Sequence, residues 1–118
     1  MVCFRMTSEE ELVRAHVWDV VGRRWMPRVL RLLSDGRPHR FSEILMALGG
    51  ISTKTLCIRL EELGDSELVE KVEYAEVPPR VEYFLTAKGR DLCSVICQLD
   101  NFAVKWERRE IRIVRRKR

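Results

Sequence analysis

Side chains suited to contacting phosphates and base edges are concentrated at the start of one helical pattern in this 118-residue chain. That pattern opens with Ser52-Thr53-Lys54-Thr55, and Arg59 follows one turn further on. Hydroxyl and ammonium groups can hydrogen-bond bases and phosphates, and the dipole of a helix favours an anion at its amino terminus. The pattern predicts a helix that enters the major groove of double-stranded DNA. The alternative is that Ser52 only caps the helix and that the charges are merely solvated.

A second basic segment lies in a predicted hairpin. Two apolar-alternating runs flank Pro78-Pro79, which predicts two strands joined by a stiff loop. Arg80 is expected at the tip, where it can contact a phosphate or enter a minor groove. The alternative is an arginine paired with Glu76 or Glu82.

The elements around these two segments follow the order of a winged helix. The predicted elements are a first helix capped by a Ser8/Glu11 box and ended by Gly22, a helix over about 24–34, a helix over 41–48, the Ser52 helix, strands over 68–75 and 81–85, and a long last helix capped by Thr86. The fold class is α+β, mostly helical. Arg40, just before the third helix, is a further candidate for DNA backbone contact, and a solvated turn is its alternative.

The last helix carries an apolar seam longer than a small domain can cover. Its positions alternate steps of four and three residues, which is the spacing of a helix packed on another helix. Together with the amino-terminal helix, the seam predicts a homodimer. The predicted interface residues are Leu12, Leu92, Ile96, Leu99, Ala103 and Trp106.

Charge is distributed unevenly along the chain, whose formal net charge is +4. Residues 105–118 hold eight Lys or Arg against two Glu, so the tail is +6 and the remainder about −2. Basicity alone therefore does not identify a nucleic-acid partner. The length predicts one domain over 1–118, with its core at about 12–95 and a helical extension with a basic tail at 96–118. No membrane span or signal peptide is expected, and a cytoplasmic location is the simplest interpretation.

The cysteines and polar residues do not form a recognised catalytic or metal-binding pattern. Cys93 and Cys97 share a helical face, but no histidine or further cysteine is near in sequence, so they are expected to pack as small apolar residues. Cys57 falls in the Ser52 helix, where oxidation of an exposed thiol would disturb DNA contact. No cofactor and no enzymatic activity are predicted.

Several segments together resemble the HxlR family of regulators. They are Trp18-Asp19-Val20-Val21-Gly22-Arg23-Arg24-Trp25, residues 40–44, 50–56 and 59–63, and the Pro-Pro-Arg-Val-Glu-Tyr segment starting at Pro78. The resemblance spans about residues 12–95. It implies a MarR-like winged helix-turn-helix transcription regulator, dimeric through its terminal helices, that binds a near-palindromic operator with the Ser52 helix and the wing. The resemblance does not identify a small-molecule effector.

The chain departs from that family at two positions. Many members carry a cysteine thirteen residues before the tryptophan that matches Trp25, and some use it to sense oxidants or electrophiles. This chain has Leu12 there, with Cys3 nine residues earlier. The family usually has glycine just before the first wing strand, where this chain has Glu67, so an early or irregular helix end is expected. Two other functions stay open: a winged-helix protein-interaction module, and a thiol-based redox-responsive regulator.

Overall fold

Five α-helices and a three-stranded antiparallel sheet make up residues 7–107, the part of the chain that a computed structural model describes. In chain order they are α1 (Ser8–Val21), α2 (Met26–Leu32), β1 (His39–Arg40), α3 (Phe41–Leu48), α4 (Thr53–Asp65), β2 (Val69–Tyr74), β3 (Arg80–Leu85) and α5 (Ala87–Trp106). The predicted α+β, mostly helical class is confirmed. Cys3 and the basic tail over 108–118 lie outside the described residues.

One apolar core joins α2, α3, α4 and the first half of α5 to the sheet. Its largest fully buried side chains are Met26, Val29, Leu30, Leu33, Ile44, Leu56, Leu63 and Leu85. Burying each aliphatic side chain contributes about 1.5–3 kcal/mol, so this cluster supplies most of the driving force for folding. α1 contributes only Val20 to it.

Local sequence signals set the helix boundaries closely. The predicted helix over 41–48 and the caps at Ser52 and Thr86 are confirmed. The first capping box lies one residue earlier than predicted, because Thr7 and Glu10 have the same spacing: Thr7 Oγ1 accepts from Glu10 N at 3.1 Å, and Glu10 accepts from Thr7 N at 2.9 Å. The second helix starts at Met26, two residues later than predicted, since Trp25 has a left-handed φ of 77°.

The sheet contains a strand that the sequence did not indicate. β1 has only two residues and pairs with β3, with His39 opposite Tyr83 and Arg40 opposite Glu82. The strand order is therefore β1-β3-β2. So short a strand carries no periodic signal of its own, and it forms because β3 offers it a free edge.

The end of α4 is irregular at the residue where the sequence departs from the family. Glu67 adopts a left-handed φ of 59°. Leu68 N donates to Leu63 O at 2.9 Å and Glu67 N donates to Gly64 O at 3.0 Å, the two hydrogen bonds of a Schellman motif. The helix does not end early, because this motif satisfies its last carbonyls although the residue in the glycine position has a side chain.

Glu67→Gly is expected to stabilise the protein by about 0.5–1 kcal/mol, because glycine adopts the left-handed conformation without steric cost. The measurement is the midpoint of urea denaturation at one fixed protein concentration. Glu67→Ala is the control, since it removes the carboxylate and keeps the strain. A rise in stability with alanine as large as with glycine would mean that charge, and not backbone conformation, is responsible.

Within residues 7–107, no single helix is both long and apolar enough to cross a membrane; α3 and α4 reach that composition only as a pair, with a 115° bend between them. The same part of the chain has no group of three or more His, Cys, Asp or Glu side chains placed to hold a metal ion.

Candidate nucleic-acid interface

The amino-terminal turn of α4 uses its polar side chains in two different ways. Ser52 Oγ accepts a hydrogen bond from Thr55 N at 3.0 Å and donates one to Thr55 Oγ1 at 2.8 Å, so both hydroxyls are engaged within the turn. Thr53 and Lys54 are exposed. The turn therefore offers one hydroxyl and one ammonium group at the positive end of a 13-residue helix.

α4 is the second helix of a helix-turn-helix. The turn after α3 contains Gly49 and Gly50, whose φ values of 55° and 92° would strain any other residue. Ile51 then returns the chain to the core, and the inner face of α4 is buried through Leu56, Leu60 and Leu63. Because that face is fixed, the exposed turn at Thr53 is held on a rigid support.

Trp25, just before α2, and Arg28, in α2, support the turn that follows α3. The guanidinium of Arg28 lies 4.6 Å from the centre of the Trp25 ring and donates to Leu48 O at 3.1 Å. A hydrogen bond to the last carbonyl of α3 satisfies a group that has no partner within the helix. These contacts fix the end of α3 immediately before the turn that leads into α4.

Arg59 has partners within the protein that its predicted role did not include. Its Nε donates to Arg24 O at 2.8 Å, its Nη1 pairs with Glu62 at 2.6 Å, and its side chain is 20% exposed. The guanidinium is thus held by partners within the protein, and its contact with a base or a phosphate stays a prediction. Spacing along α4 does not reveal this arrangement, because one partner lies 35 positions earlier in the chain.

Glu62 connects Arg59 to a second arginine, Arg23, in the link between α1 and α2. Arg23 Nη1 donates to Glu62, and Arg23 Nη2 pairs with Asp19 of α1 at 2.7 Å. The hydrogen bonds with Glu62 and with Asp19 raise the pKa of Arg23. We call Asp19, Arg23, Glu62 and Arg59 the charge ladder. The sequence predictions gave the first three no role, although all four lie in the segments that carry the family resemblance.

The tip of the wing is less basic than predicted. Tyr74 pairs with Arg80 in the β2–β3 register, so Arg80 is the first residue of β3 and the tip is formed by residues 75–79, with Val77 fully exposed. The guanidinium of Arg80 lies 4.0 Å from the centre of the Tyr74 ring, and its Nη2 is 3.3 Å from Glu76. The pairing with Glu76, the alternative raised from the sequence, is present. Pro78 and Pro79 lie in the exposed loop between the two strands, as predicted.

Arg40 lies beside the wing. It ends β1, forms the N-cap position of α3 and is exposed. Arg40, Ser42, Val77 and Arg80 are among the residues lining one cleft of about 440 Å³. The structure therefore brings two of the predicted basic residues together, on a surface shared by the start of α3 and the wing.

The cysteines differ in exposure. Cys93 is buried, its Sγ lies 3.3 Å from Leu30 O, and burial raises the pKa of its thiol. Cys97 is exposed, so the expected packing of this pair is correct only for Cys93. Cys57 is exposed on α4, as the redox hypothesis requires.

The predicted seam of α5 is displaced around the helix. Ile96 is buried in the core of its own chain, which corrects its assignment to a dimer interface. Leu92 packs against that core but stays partly exposed, so its place in an interface remains a prediction. The exposed apolar residues that recur on one face are Val95, Leu99, Phe102 and Trp106, which we call the exposed seam. Ala103 is exposed beside it. Val95 and Phe102 were missed because two apolar stripes overlap in this helix, and period alone does not show which one faces the core.

α1 presents a second exposed apolar surface. Leu12 is 72% exposed and Trp18 is 70% exposed, and Val13 and Val17 lie between them in sequence. Four large apolar side chains exposed on one helix of a small domain are candidates for burial against a partner. Of these four residues, only Leu12 was predicted for the interface.

The helix pair α3–α4 followed by the β2–β3 hairpin defines a winged helix-turn-helix domain. The chain belongs to the HxlR-like helix-turn-helix family, whose model matches residues 20–111. The family resemblance found in the sequence is therefore confirmed.

Known relatives agree with this assignment. The uncharacterized HTH-type transcriptional regulator sll1512 of Synechocystis sp. is 40% identical over 95 residues, which cover 80% of this chain and 70% of the relative. The reduced form of the transcriptional regulator YodB of Bacillus subtilis superposes with a TM-score of 0.71 at 34% identity, covering 86% of this chain and 95% of YodB. A regulator of the MarR family from Enterococcus faecalis V583 gives a TM-score of 0.75 at 28% identity, covering 89% and 94%. The protein is a transcriptional regulator with a helix-turn-helix domain, and these relatives are not enzymes.

Proposed function

We propose that the protein is a sequence-specific DNA-binding regulator that acts as a homodimer, with α4 in the major groove and the wing on the adjacent groove or backbone. The observation that carries this proposal is the exposed turn of α4, where Thr53 and Lys54 extend from a helix whose opposite face is fixed in the core. Ser52 and Thr55 shape that turn, and Arg40 lies where it can hold the DNA backbone.

A second copy of the chain is the partner we propose for the exposed seam and for the apolar surface of α1. Two amphipathic helices that leave apolar residues uncovered can bury them against the same helices of another subunit. A two-fold dimer would place two α4 helices on half-sites about one helical turn of DNA apart, roughly 34 Å, or a multiple of that distance. A near-palindromic operator follows from this symmetry.

The deciding experiment is a mobility-shift assay with genomic fragments across a salt series. A specific regulator is expected to prefer some fragment by at least about a hundredfold over competitor DNA at moderate salt. Thr53→Ala is expected to change the preferred sequence as well as the affinity, because Thr53 can contact base edges. If no fragment is preferred, specific regulation is wrong, and a winged-helix module that binds another protein becomes the better account.

Arg80→Ala is expected to weaken binding to all DNA sequences and to lower the slope of log affinity against log salt by about one. In this proposal the Arg80 guanidinium exchanges Glu76 for a phosphate. Glu76→Gln is the matched variant, expected to strengthen binding, because it removes the competing carboxylate and leaves Arg80 in place. Equal salt slopes for the wild type and Arg80→Ala would remove the wing arginine from the interface.

A redox response is the second candidate function, and two observations favour it. The relative YodB has been solved in reduced, diamide-treated and quinone-bound forms. In this chain Cys57 is exposed on α4 itself. Leu12 occupies the position of the family's usual cysteine, so a redox response would have to use another thiol. The test compares DNA binding before and after oxidant treatment for the wild type, Cys57→Ser and a variant lacking all four cysteines. If the variant without cysteines responded to oxidant as the wild type does, thiol sensing would be excluded.

A further inference from the structure

The charge ladder is a direct side-chain connection between α1 and α4. Asp19 lies in α1, and Glu62 and Arg59 lie in α4; Arg23, between α1 and α2, bonds to both Asp19 and Glu62. The side chains of Glu62 and Arg59 are each 20% exposed, that of Arg23 is 38% exposed, and that of Asp19, the member in α1, is 64% exposed. Partly buried, multiply bonded arginine–carboxylate contacts hold geometry better than isolated surface pairs, because each member is already restrained by another.

α1 contributes little buried apolar surface to the core of its own chain. Val20 is its only buried residue, and the connection to α2 runs through Gly22, whose amide donates to Trp18 O at 2.8 Å. Apolar packing therefore does little to fix the direction in which α1 leaves the rest of the domain. α4, by contrast, is anchored through three buried leucines, Leu56, Leu60 and Leu63. The ladder ties the loosely packed helix to the firmly packed one.

We infer that Arg23 and Glu62 are positioning residues that fix the direction of α1 relative to α4, and thereby set the half-site spacing that the dimer accepts. The inference rests on the proposed function, because it takes α1 as part of the dimer interface and α4 as the DNA-reading helix. Glu62 is suited to the task since its two oxygens separately hold Arg59, on its own helix, and Arg23, at the end of α1. Neither Arg23 nor Glu62 is required to touch DNA.

The test measures affinity for operators whose two half-sites are moved apart or together by one and two base pairs. For the wild type, affinity is expected to fall steeply away from one spacing. Arg23→Gln leaves the Glu62–Arg59 pair in place. For this variant, the affinity at the best spacing divided by the affinity at a spacing two base pairs away is expected to fall about tenfold. Affinity for a DNA fragment with a single half-site is expected to stay within about twofold of the wild type, because the reading turn of α4 is untouched.

Asp100→Asn is the matched control. It breaks another arginine–carboxylate contact, between Arg31 and Asp100 at 2.7 Å, away from the junction of α1 with α4. This variant is expected to keep the spacing profile of the wild type. Glu62→Gln provides a second variant of the ladder with the same readout, and circular dichroism checks that each variant is folded.

The outcomes separate the inference from the proposed function. If the wild type prefers no palindromic site, the proposed function fails, and the inference fails with it. If the wild type shows a sharp spacing preference and Arg23→Gln and Glu62→Gln share it, the inference alone is overturned. The inference would also be overturned if the two variants lost affinity equally for single half-sites and for paired sites. Such a result would indicate a general effect on α4 and not an effect on spacing.

Discussion

Gly89→Ala is expected to destabilise the protein by about 3 kcal/mol, a large effect for one methyl group. An added Cβ would lie 2.1 Å from Leu68 O and 3.0 Å from Leu85 Cδ2. The obstacle is mainly backbone, so no change of rotamer can relieve it. Leu68 O also accepts the hydrogen bond from Thr86 N at 3.0 Å, immediately before α5. α5 would therefore have to move away from β2 and β3, opening the core around Cys93 and Ile96.

Urea denaturation at one fixed protein concentration measures this effect. Gly64→Ala is the matched control, because Gly64 also lies in a helix and an added Cβ there meets nothing within 4 Å. Alanine at this position is expected to stabilise the protein by up to about 1 kcal/mol, through its higher helix propensity. If both variants moved the midpoint in the same direction by similar amounts, the close approach of α5 to Leu68 would have no energetic importance.

Leu99→Lys is expected to convert the proposed dimer to monomers and to lower operator affinity by at least about a hundredfold. Leu99 is 59% exposed in the single chain and lies in the middle of the exposed seam. Two-fold symmetry would bring the substitution into the interface twice, where an unpaired ammonium group loses its hydration. A monomer would then hold each half-site with the contacts of one α4 alone, without the gain from a linked second site.

Sedimentation equilibrium gives the subunit mass, and the mobility-shift assay gives the affinity. Asn101→Lys is the control: it adds the same charge to an exposed position of α5 two residues on, about 200° around the helix. This variant is expected to stay dimeric. Dimers of undiminished stability for Leu99→Lys would show that the exposed seam is not the subunit interface.

The sequence was most informative where structure is decided locally. Ser52 and Thr86 predicted helix starts correctly, because an N-cap contacts amides only three residues away. The wing strands were predicted within one residue at their inner ends for the same reason, since Pro78-Pro79 interrupts the alternation between them. The family motifs then fixed the order of the elements, and with it the location of the candidate interface.

The sequence was least informative where a partner is distant along the chain. Arg59 has the type and spacing of a groove residue, but its hydrogen-bond acceptor on Arg24 comes from the link between α1 and α2. β1 exists only through its pairing with β3. Ile96 was assigned to the wrong face of α5 because both apolar stripes repeat with the same period, and only packing distinguishes them. Each of these cases concerns a contact made in three dimensions, which local pattern does not encode.

α1 has a consequence for how the regulator responds to its own abundance. Only one of its 14 residues is buried, and an isolated helix of this length has little stability in water. In the proposed dimer, folding of α1 and association of the subunits are therefore coupled. While monomers predominate, the amount of dimer varies with the square of the chain concentration, so halving synthesis lowers the dimer about fourfold. Operator occupancy would then change steeply with the rate at which the chain is synthesised, without any ligand.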